Sequence, residues 1–255
     1  VTKKTTKRKP TAPFITSTMQ RAASTKYGFG ASRTMQIAQK LYEGVEIDGS
    51  PVGLITYMRT DSVRVSDDAR DMAHDFILQN YGEKYYPEKA NVYVKGKQNV
   101  QDAHEAIRPS YPDKTPESIK QYLDNDQYKL YKLIWEKFMS SQMAPAEVAN
   151  KTIEINSGDY TLKAGTSKIM FDGFLKLYND TEDDGNEGNN ESADAKIPDL
   201  EKGDLVACQK VNPKQHFTQP PPRYNEASLI KALEDKGIGR PSTYASIITK
   251  IQQRQ

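Results

Sequence analysis

At 255 residues, the chain has enough material for one large domain or two to three small ones with a buried core. Its mean hydropathy of -0.79, with no apolar run near the roughly 18 residues a membrane helix needs, excludes a spanning helix. The basic start "VTKKTTKRKPTAP" has no apolar core behind it, so no secretory signal is expected, and the single Cys208 excludes an intrachain disulfide or a cysteine metal cluster. A reducing cytoplasm is the expected compartment.

The formal net charge of +2 is unevenly placed. Lys3, Lys4, Lys7, Arg8 and Lys9 crowd the start, and residues 1–13 are expected to be a flexible basic segment. "NDTEDDGNEGNNESADA", residues 179–195, carries seven acids and no base. It lacks apolar residues to pack, so a mobile loop is expected there. Without it the remainder is distinctly basic, as suits a backbone-phosphate binder, although ordinary solvated charge accounts for the composition equally well.

In chain order, residues 14–147 read as mostly helical. "STMQ", Ser17 to Gln20, has capping-box spacing and opens a helix that stops by Gly28. "SRTMQIAQKLYEG" follows, with Met35, Ala38 and Tyr42 as one apolar stripe, Leu41 beside it and Gly44 as the stop. A Gly/Pro-punctuated connection leads to "GLITYMRTDS". Ser66 with Asp67 and Asp68 starts a helix to about Asn80, Pro116 begins another, and Tyr128 to Met143 is a long aromatic-rich one. From Val148 the pattern changes to short alternating segments, "VANKTIEIN", "DYTLKAG", "KIMFDGFLKLY" and "DLVACQKV", a small antiparallel β unit over 148–213. Residues 214–255 return to helix: "NEASLIKALEDKG", the turn "IGRPS", and "TYASIITKIQQRQ", a helix-turn-helix-like pair. The second helix still runs at Gln255, so the chain is expected to continue. The expected fold class is multidomain α+β.

Three clusters carry chemistry. If "GLITYMRT" is a strand, Ile55, Tyr57 and Arg59 share one face. A free tyrosine, with a pKa near 10, is a poor nucleophile at neutral pH and needs a cation or base nearby. Arg59 supplies the cation, and its planar fork suits phosphodiester oxygens. On spacing alone, Tyr57 reads first as a sheet aromatic with a surface arginine beside it. "QDAHEAIRPS" holds His104, Glu105 and Arg108 ahead of a proline; it lacks the second histidine of a zinc site. If it is helical, His104 and Arg108 lie on one face and grip a phosphate, with histidine as a donor; a partly buried structural histidine fits as well. Arg240, Ser242 and Thr243 stand at a helix start, a natural phosphate site, where Ser242 is equally a plain N-cap.

These motifs, with "PFITSTMQRAAS", "RTMQIAQKLYEG", "LIWEKFMSSQM" and "PPPRYNEASLIKALEDKGIGRPSTYASII", resemble the bacterial DNA topoisomerase I, type IA, family over Pro13 to Gln255. The resemblance implies that Tyr57 attacks a phosphodiester of single-stranded DNA, giving a 5'-phosphotyrosine and a free 3'-hydroxyl, and that religation needs no ATP. It implies Arg59 beside the scissile phosphate, and His104, Glu105 and Arg108 in a DNA-contacting segment. By the same comparison Arg240, Ser242 and Thr243 line a single-strand groove, and Gln39, Tyr42 and Glu43 lie on a helix near the bound strand. Residues 14–147 then resemble the tyrosine-bearing domain, 148–213 part of an arch, and 214–255 part of the DNA-groove domain.

The family also has a Toprim domain whose acidic residues bind Mg2+, and nothing in this chain resembles it. The chain alone is therefore expected to lack relaxation activity and to hold no metal of its own; its partner is single-stranded or negatively supercoiled DNA, and it is expected to act as a monomer in the cytoplasm. One alternative is a tyrosine recombinase or type IB enzyme, whose tyrosine comes late in the chain and whose histidine and arginine lie closer than His104 and Arg108. Another is a non-catalytic DNA-binding module using the C-terminal helices.

Overall fold

A computed structural model describes residues 1–94, 104–179, 198 and 200–254. The acidic stretch expected as a loop at 179–195 lies, apart from Asn179, outside the described residues. The described chain is a mixed α/β structure of six α-helices with a three-stranded and a two-stranded antiparallel sheet. No helix among the described residues is long and apolar enough to cross a membrane.

Helix α1 (Thr16–Tyr27) starts one residue ahead of the expected box. Ile15 is the N-cap, its N–H donating to Thr18 Oγ1 at 3.0 Å, while the Ser17 hydroxyl is buried with no hydrogen-bond partner among the described residues. Gly28 ends the helix as expected, in the left-handed region at φ 66° where a β-carbon is costly. Helix α2 (Ala31–Glu43) buries Thr34, Ile37, Ala38 and Leu41, a regular i, i+3, i+4, i+7 stripe. Of the expected stripe, Ala38 and the adjacent Leu41 are fully buried and Met35 packs against the core, whereas Tyr42 is left 41% exposed. Strands β2 (Val45–Ile47) and β3 (Ser50–Val52) make the Gly/Pro-punctuated connection a hairpin, with Val45 and Ile47 buried and the Tyr122 hydroxyl donating to the Asp48 carboxylate.

The segment after the hairpin is not a strand. Ile55 alone makes a ladder pairing, opposite Pro109, and Leu54, Ile55 and Met58 are all buried, so side chains do not alternate. Helix α3 (Asp67–Tyr81) starts as expected, with the Ser66 hydroxyl accepting the Ala69 N–H at 3.4 Å. The described part of the second motif, "HEAIRPS" at residues 104–110, is extended and not the helix that would set His104 and Arg108 on one face. It threads between two neighbours: Ile107 N–H donates to the Phe14 C=O at 2.8 Å, and Ser110 N–H to the Leu54 C=O at 2.9 Å. Pro109 explains why, since the residue before a proline is pushed out of the helical region.

Pro116 starts no α-helix; only a short 3-10 turn, Lys120–Tyr122, lies in that region. Helix α4 (Asn125–Ser141) begins three residues before Tyr128 because Asp124 and Gln127 cap it reciprocally: Asp124 Oδ1 accepts the Gln127 N–H at 2.8 Å, and Gln127 Oε1 accepts the Asp124 N–H at 3.0 Å. It is the core's axis, with Leu130, Tyr131, Leu133, Ile134 and Phe138 fully buried. Trp135 satisfies its indole N–H on the Pro112 C=O at 2.9 Å.

The basic start is a correction. Residues Thr2–Arg8 form strand β1, paired antiparallel with β4 (Ala146–Ser157), which pairs with β5 (Tyr160–Phe171). A free sheet edge on β4 supplies backbone partners that local composition cannot register, and Lys7 faces Glu147 across the ladder at 3.6 Å. "DYTLKAG" and "KIMF" are one continuous strand, and "DLVACQKV" forms none: no described element covers it, and Leu205 is fully exposed. Helices α5 (Glu226–Asp235) and α6 (Tyr244–Gln253) stand as expected. They dock on the helical body, α5 against α1 and α6 against α2, through a small apolar cluster of Ala31, Ile230 and Ile248.

Candidate functional site

A groove of about 1210 Å³ runs between α2, the first turn of α4 and α6. One face of α2 presents Gln36, Gln39, Lys40 and Glu43; α6 presents Ser246, Thr249 and Lys250; Asp124 and Asp126 close the third side. Tyr57 and Arg59 contribute to the same wall.

Two threonine hydroxyls hold the Tyr57 loop in place. Before the tyrosine, Thr56 Oγ1 donates to the Ala106 C=O at 2.7 Å and accepts the Arg108 N–H at 3.0 Å. After it, the fully buried Thr16 Oγ1 donates to the Met58 C=O at 2.7 Å and accepts the Thr60 N–H at 2.9 Å. Each hydroxyl satisfies two main-chain groups that have left regular secondary structure, and orphaning such a buried group costs about 1–3 kcal/mol. The loop is thereby fixed on both sides of Tyr57 while its side chain stays half-buried at the groove.

Tyr57 has two ring neighbours. Tyr42 meets it edge-on at 5.4 Å between centroids, and His104 lies tilted against it at 4.9 Å. Tyr42 therefore touches the phenol ring itself, which helical spacing alone did not reveal. His104 is exposed, with its imidazole beside the phenol. Arg59 is exposed, with no ion pair or side-chain hydrogen bond seen among the described residues. Its fork is open to an anion.

Arg108 behaves differently from expectation. Its Nε donates to Glu105 Oε2 at 2.8 Å and its Nη1 to the Pro109 C=O at 3.0 Å, so it is turned into the protein instead of gripping an anion beside His104. Burial alone raises the Glu105 carboxyl, but the Arg108 hydrogen bond and charge, with help from the Ser66 N–H, outweigh it and hold the group below the usual carboxylate range. The pair anchors the extended segment that carries His104.

At the other wall Ser242 lines the groove, whereas Arg240 does not. Its guanidinium folds back onto the Gly239 C=O at 2.7 Å. Thr243, not Ser242, is the N-cap of α6, and its hydroxyl accepts the Arg240 N–H at 2.8 Å. Gln39 and Glu43 are hydrogen-bonded to each other along the groove floor. Sequence reasoning missed Thr16, Thr56, Lys40, Asp126 and Lys250. The α2 set was detectable, since Ser32, Gln36, Gln39, Lys40 and Glu43 recur at helical spacing on the face opposite the buried stripe; the threonine contacts span 42 and 50 residues of sequence and leave no local trace. Arg33 is paired with Asp126 at 2.6 Å, so the groove cations with no ion pair among the described residues are Lys40 of α2, Lys250 of α6 and Arg59 of the Tyr57 loop. Among the described residues no group of three or more histidine, cysteine, aspartate or glutamate side chains stands ready to hold a metal ion. The described residues therefore do not fit the Mg2+ that the resemblance implies.

The chain matches a family model described as DNA topoisomerase over residues 1–255. It is 46% identical over 257 aligned residues to DNA topoisomerase 1 of Rickettsia bellii (strain RML369-C), a match covering all of this chain and 32% of that protein. The solved structure of full-length topoisomerase I from Thermotoga maritima superposes with a TM-score of 0.79 at 38% identity, covering 99% of this chain and 39% of that one. The chain thus spans about a third of the length of the relatives it matches.

Proposed function

The chain belongs to the bacterial DNA topoisomerase I (type IA) family, and on that footing we propose that Tyr57 is the nucleophile of a transient single-strand DNA break made by the complete enzyme. The observation that carries this reading is the pinned loop: Tyr57 is half-buried in the wall of a long groove, fixed from both sides by Thr16 and Thr56, with an open guanidinium two residues on and an imidazole against its ring. Nothing about a structural sheet aromatic calls for that arrangement.

In the step proposed, the Tyr57 Oη attacks the phosphorus, a P–O bond to Tyr57 forms and the P–O3' bond breaks. The phenol proton is given up, and the departing 3'-oxygen gains one to become a hydroxyl. Arg59 holds the nonbridging oxygens through its fork, and His104 donates to a phosphate oxygen or to the leaving group. The phosphodiester energy stays in the 5'-phosphotyrosine, so religation is the reverse step and uses no ATP. Strand passage between cleavage and religation relaxes negative supercoils. Gln39, Glu43 and Ser242 face the bound strand, Tyr42 supports the nucleophile's ring, and Glu105, Arg108, Arg240 and Thr243 shape the two segments that flank it.

In this reading residues 14–147 are the tyrosine-bearing unit, 148–213 belong to an arch and 214–255 to the DNA-groove unit, acting on single-stranded or negatively supercoiled DNA as a monomer. The family match argues against a recombinase-like enzyme. The test is Tyr57→Phe in the complete protein, with a labelled single-stranded oligonucleotide trapped by denaturant. Wild type yields an adduct on the 5' end of the fragment downstream of the break and the variant none; a 3'-linked adduct, or relaxation that survives the loss of this one hydroxyl, refutes the proposal.

A further inference from the structure

Glu226 joins the two walls of the groove. It belongs to the first turn of α5, yet its Oε2 accepts the Ala31 N–H at the start of α2 at 2.7 Å, and its Oε1 accepts the Gln252 amide of α6 at 3.3 Å. Helix α2 has no cap of its own, because its N-cap is Gly30. The free N–H groups at a helix start carry partial positive charge, so a carboxylate arriving from another element is held both by a charge-assisted hydrogen bond and by the helix dipole. Gly30 makes the approach possible: a β-carbon there stands 3.2 and 3.3 Å from the two Glu226 carboxylate oxygens.

The apolar contact around this clasp is small. Among the described residues Ala31, Ile230 and Ile248 are its buried members, with Leu229 and Ala245 packed against them. A contact of this size does not weld two units together, and relative motion is the default for such interfaces. What fixes α6 in register with α2 is therefore largely polar. The two helices carry opposite sides of the groove, Gln39 and Glu43 on one and Ser246, Thr249 and Lys250 on the other. Tyr42, also on α2, touches the Tyr57 ring.

We propose that Glu226 is a positioning residue, a latch that ties α5 and α6 to α2 and sets the width of the groove beside Tyr57, so that withdrawal of this one carboxylate lets the walls part. The inference rests on the reading of the groove as the path of a DNA strand, since it is strand entry and passage that require walls able to separate and return. Glu226 touches none of the reacting groups. Its effect is on the spacing of the walls and not on the chemistry at phosphorus.

The experiment uses the complete enzyme with distance-reporting labels at the exposed positions Asp75 on α3 and Lys236 after α5. Glu226→Ala is expected to raise the widely separated population about tenfold, the size of a charge at a helix terminus in a partly buried setting. Glu226→Gln keeps an acceptor without the charge and falls between, and Gln252→Ala shifts the distances less. Raising ionic strength widens wild type but not Glu226→Ala, because only wild type has a charge to screen. Gly30→Ala, which displaces the carboxylate while leaving Glu226 intact, shifts the population in the same direction and carries the test if Glu226→Ala does not fold. Adduct formation on a short single-stranded oligonucleotide at saturation stays within about twofold of wild type. Identical distance distributions in wild type and in both Glu226→Ala and Gly30→Ala overturn the latch. Absence of an adduct in wild type overturns the reading of Tyr57 instead, and the distances judge the latch by themselves.

Discussion

Replacing Thr16 by valine keeps the shape of a fully buried side chain and deletes the hydroxyl that secures the loop after Tyr57. The Met58 C=O then loses its 2.7 Å donor and the Thr60 N–H its 2.9 Å acceptor, while the Thr60 C=O keeps the Thr16 N–H at 3.0 Å. Two buried main-chain groups left unsatisfied cost about 1–3 kcal/mol each, and partial relaxation of the loop brings the expected total to about 2–4 kcal/mol. Thr16→Ser retains the hydroxyl and gives up one buried methyl, about 1 kcal/mol. Urea unfolding followed by Trp135 fluorescence measures both, because the chain's single tryptophan sits in the same core. The expected signature is a midpoint that falls much further for valine than for serine at unchanged slope. Equal losses for the two variants, or a valine loss below about 0.5 kcal/mol, refute the reasoning that this hydroxyl holds the loop. Adduct formation at Tyr57 follows the same order, serine above valine, since the segment carrying Arg59 is what the hydroxyl positions.

Arg59→Lys in the complete enzyme is expected to lower oligonucleotide cleavage about tenfold or more although the charge is kept, because an ammonium does not reproduce the planar two-point grip on a phosphate; cleavage at the wild-type rate removes Arg59 from the mechanism. Glu105→Gln tests the anchor under the His104 segment. The Glu105 carboxyl is held below the usual range in the fold, with Arg108 overcoming the effect of burial, so the unfolded chain takes up the proton first as pH falls. The stability it contributes is full above the ordinary glutamate pKa and disappears as pH drops through the lowered folded-state value. Unfolding midpoints followed from neutral pH down through the carboxylate range should therefore decline less steeply for Glu105→Gln than for wild type; parallel profiles rule out the linkage.

Some of this architecture was written locally. Gly28 and Gly44 stop α1 and α2 where their spacing says, Ser66 and its acids start α3, and α5 and α6 form where expected, although α6 ends at Gln253, because caps, stops and helical periodicity act within a few residues. The motif residues also drew together: Tyr57, Arg59, Gln39, Glu43 and Ser242 share one groove. Other features depended on partners far away in the chain. The basic start is a strand only because β4 offers it an edge, and Lys3, Lys4 and Lys7 would otherwise read as a solvated tail. Arg108 is committed to Glu105 and Arg240 to the carbonyls of its own turn, so two of the expected phosphate ligands serve the backbone instead.

The sequence by itself determined which residues are chemically equipped and where most helices begin and end, since side-chain chemistry and short-range hydrogen bonding need no distant partner. Only the tertiary structure decided that Tyr57 lies in a coiled loop between the Thr16 and Thr56 hydroxyls, that His104 and Tyr42 flank its ring, and that Glu226 closes one wall of the groove upon the other. Those contacts join residues as much as 195 positions apart, and a hydrogen bond of that range exists only once packing has brought its two ends within 3 Å or so of each other.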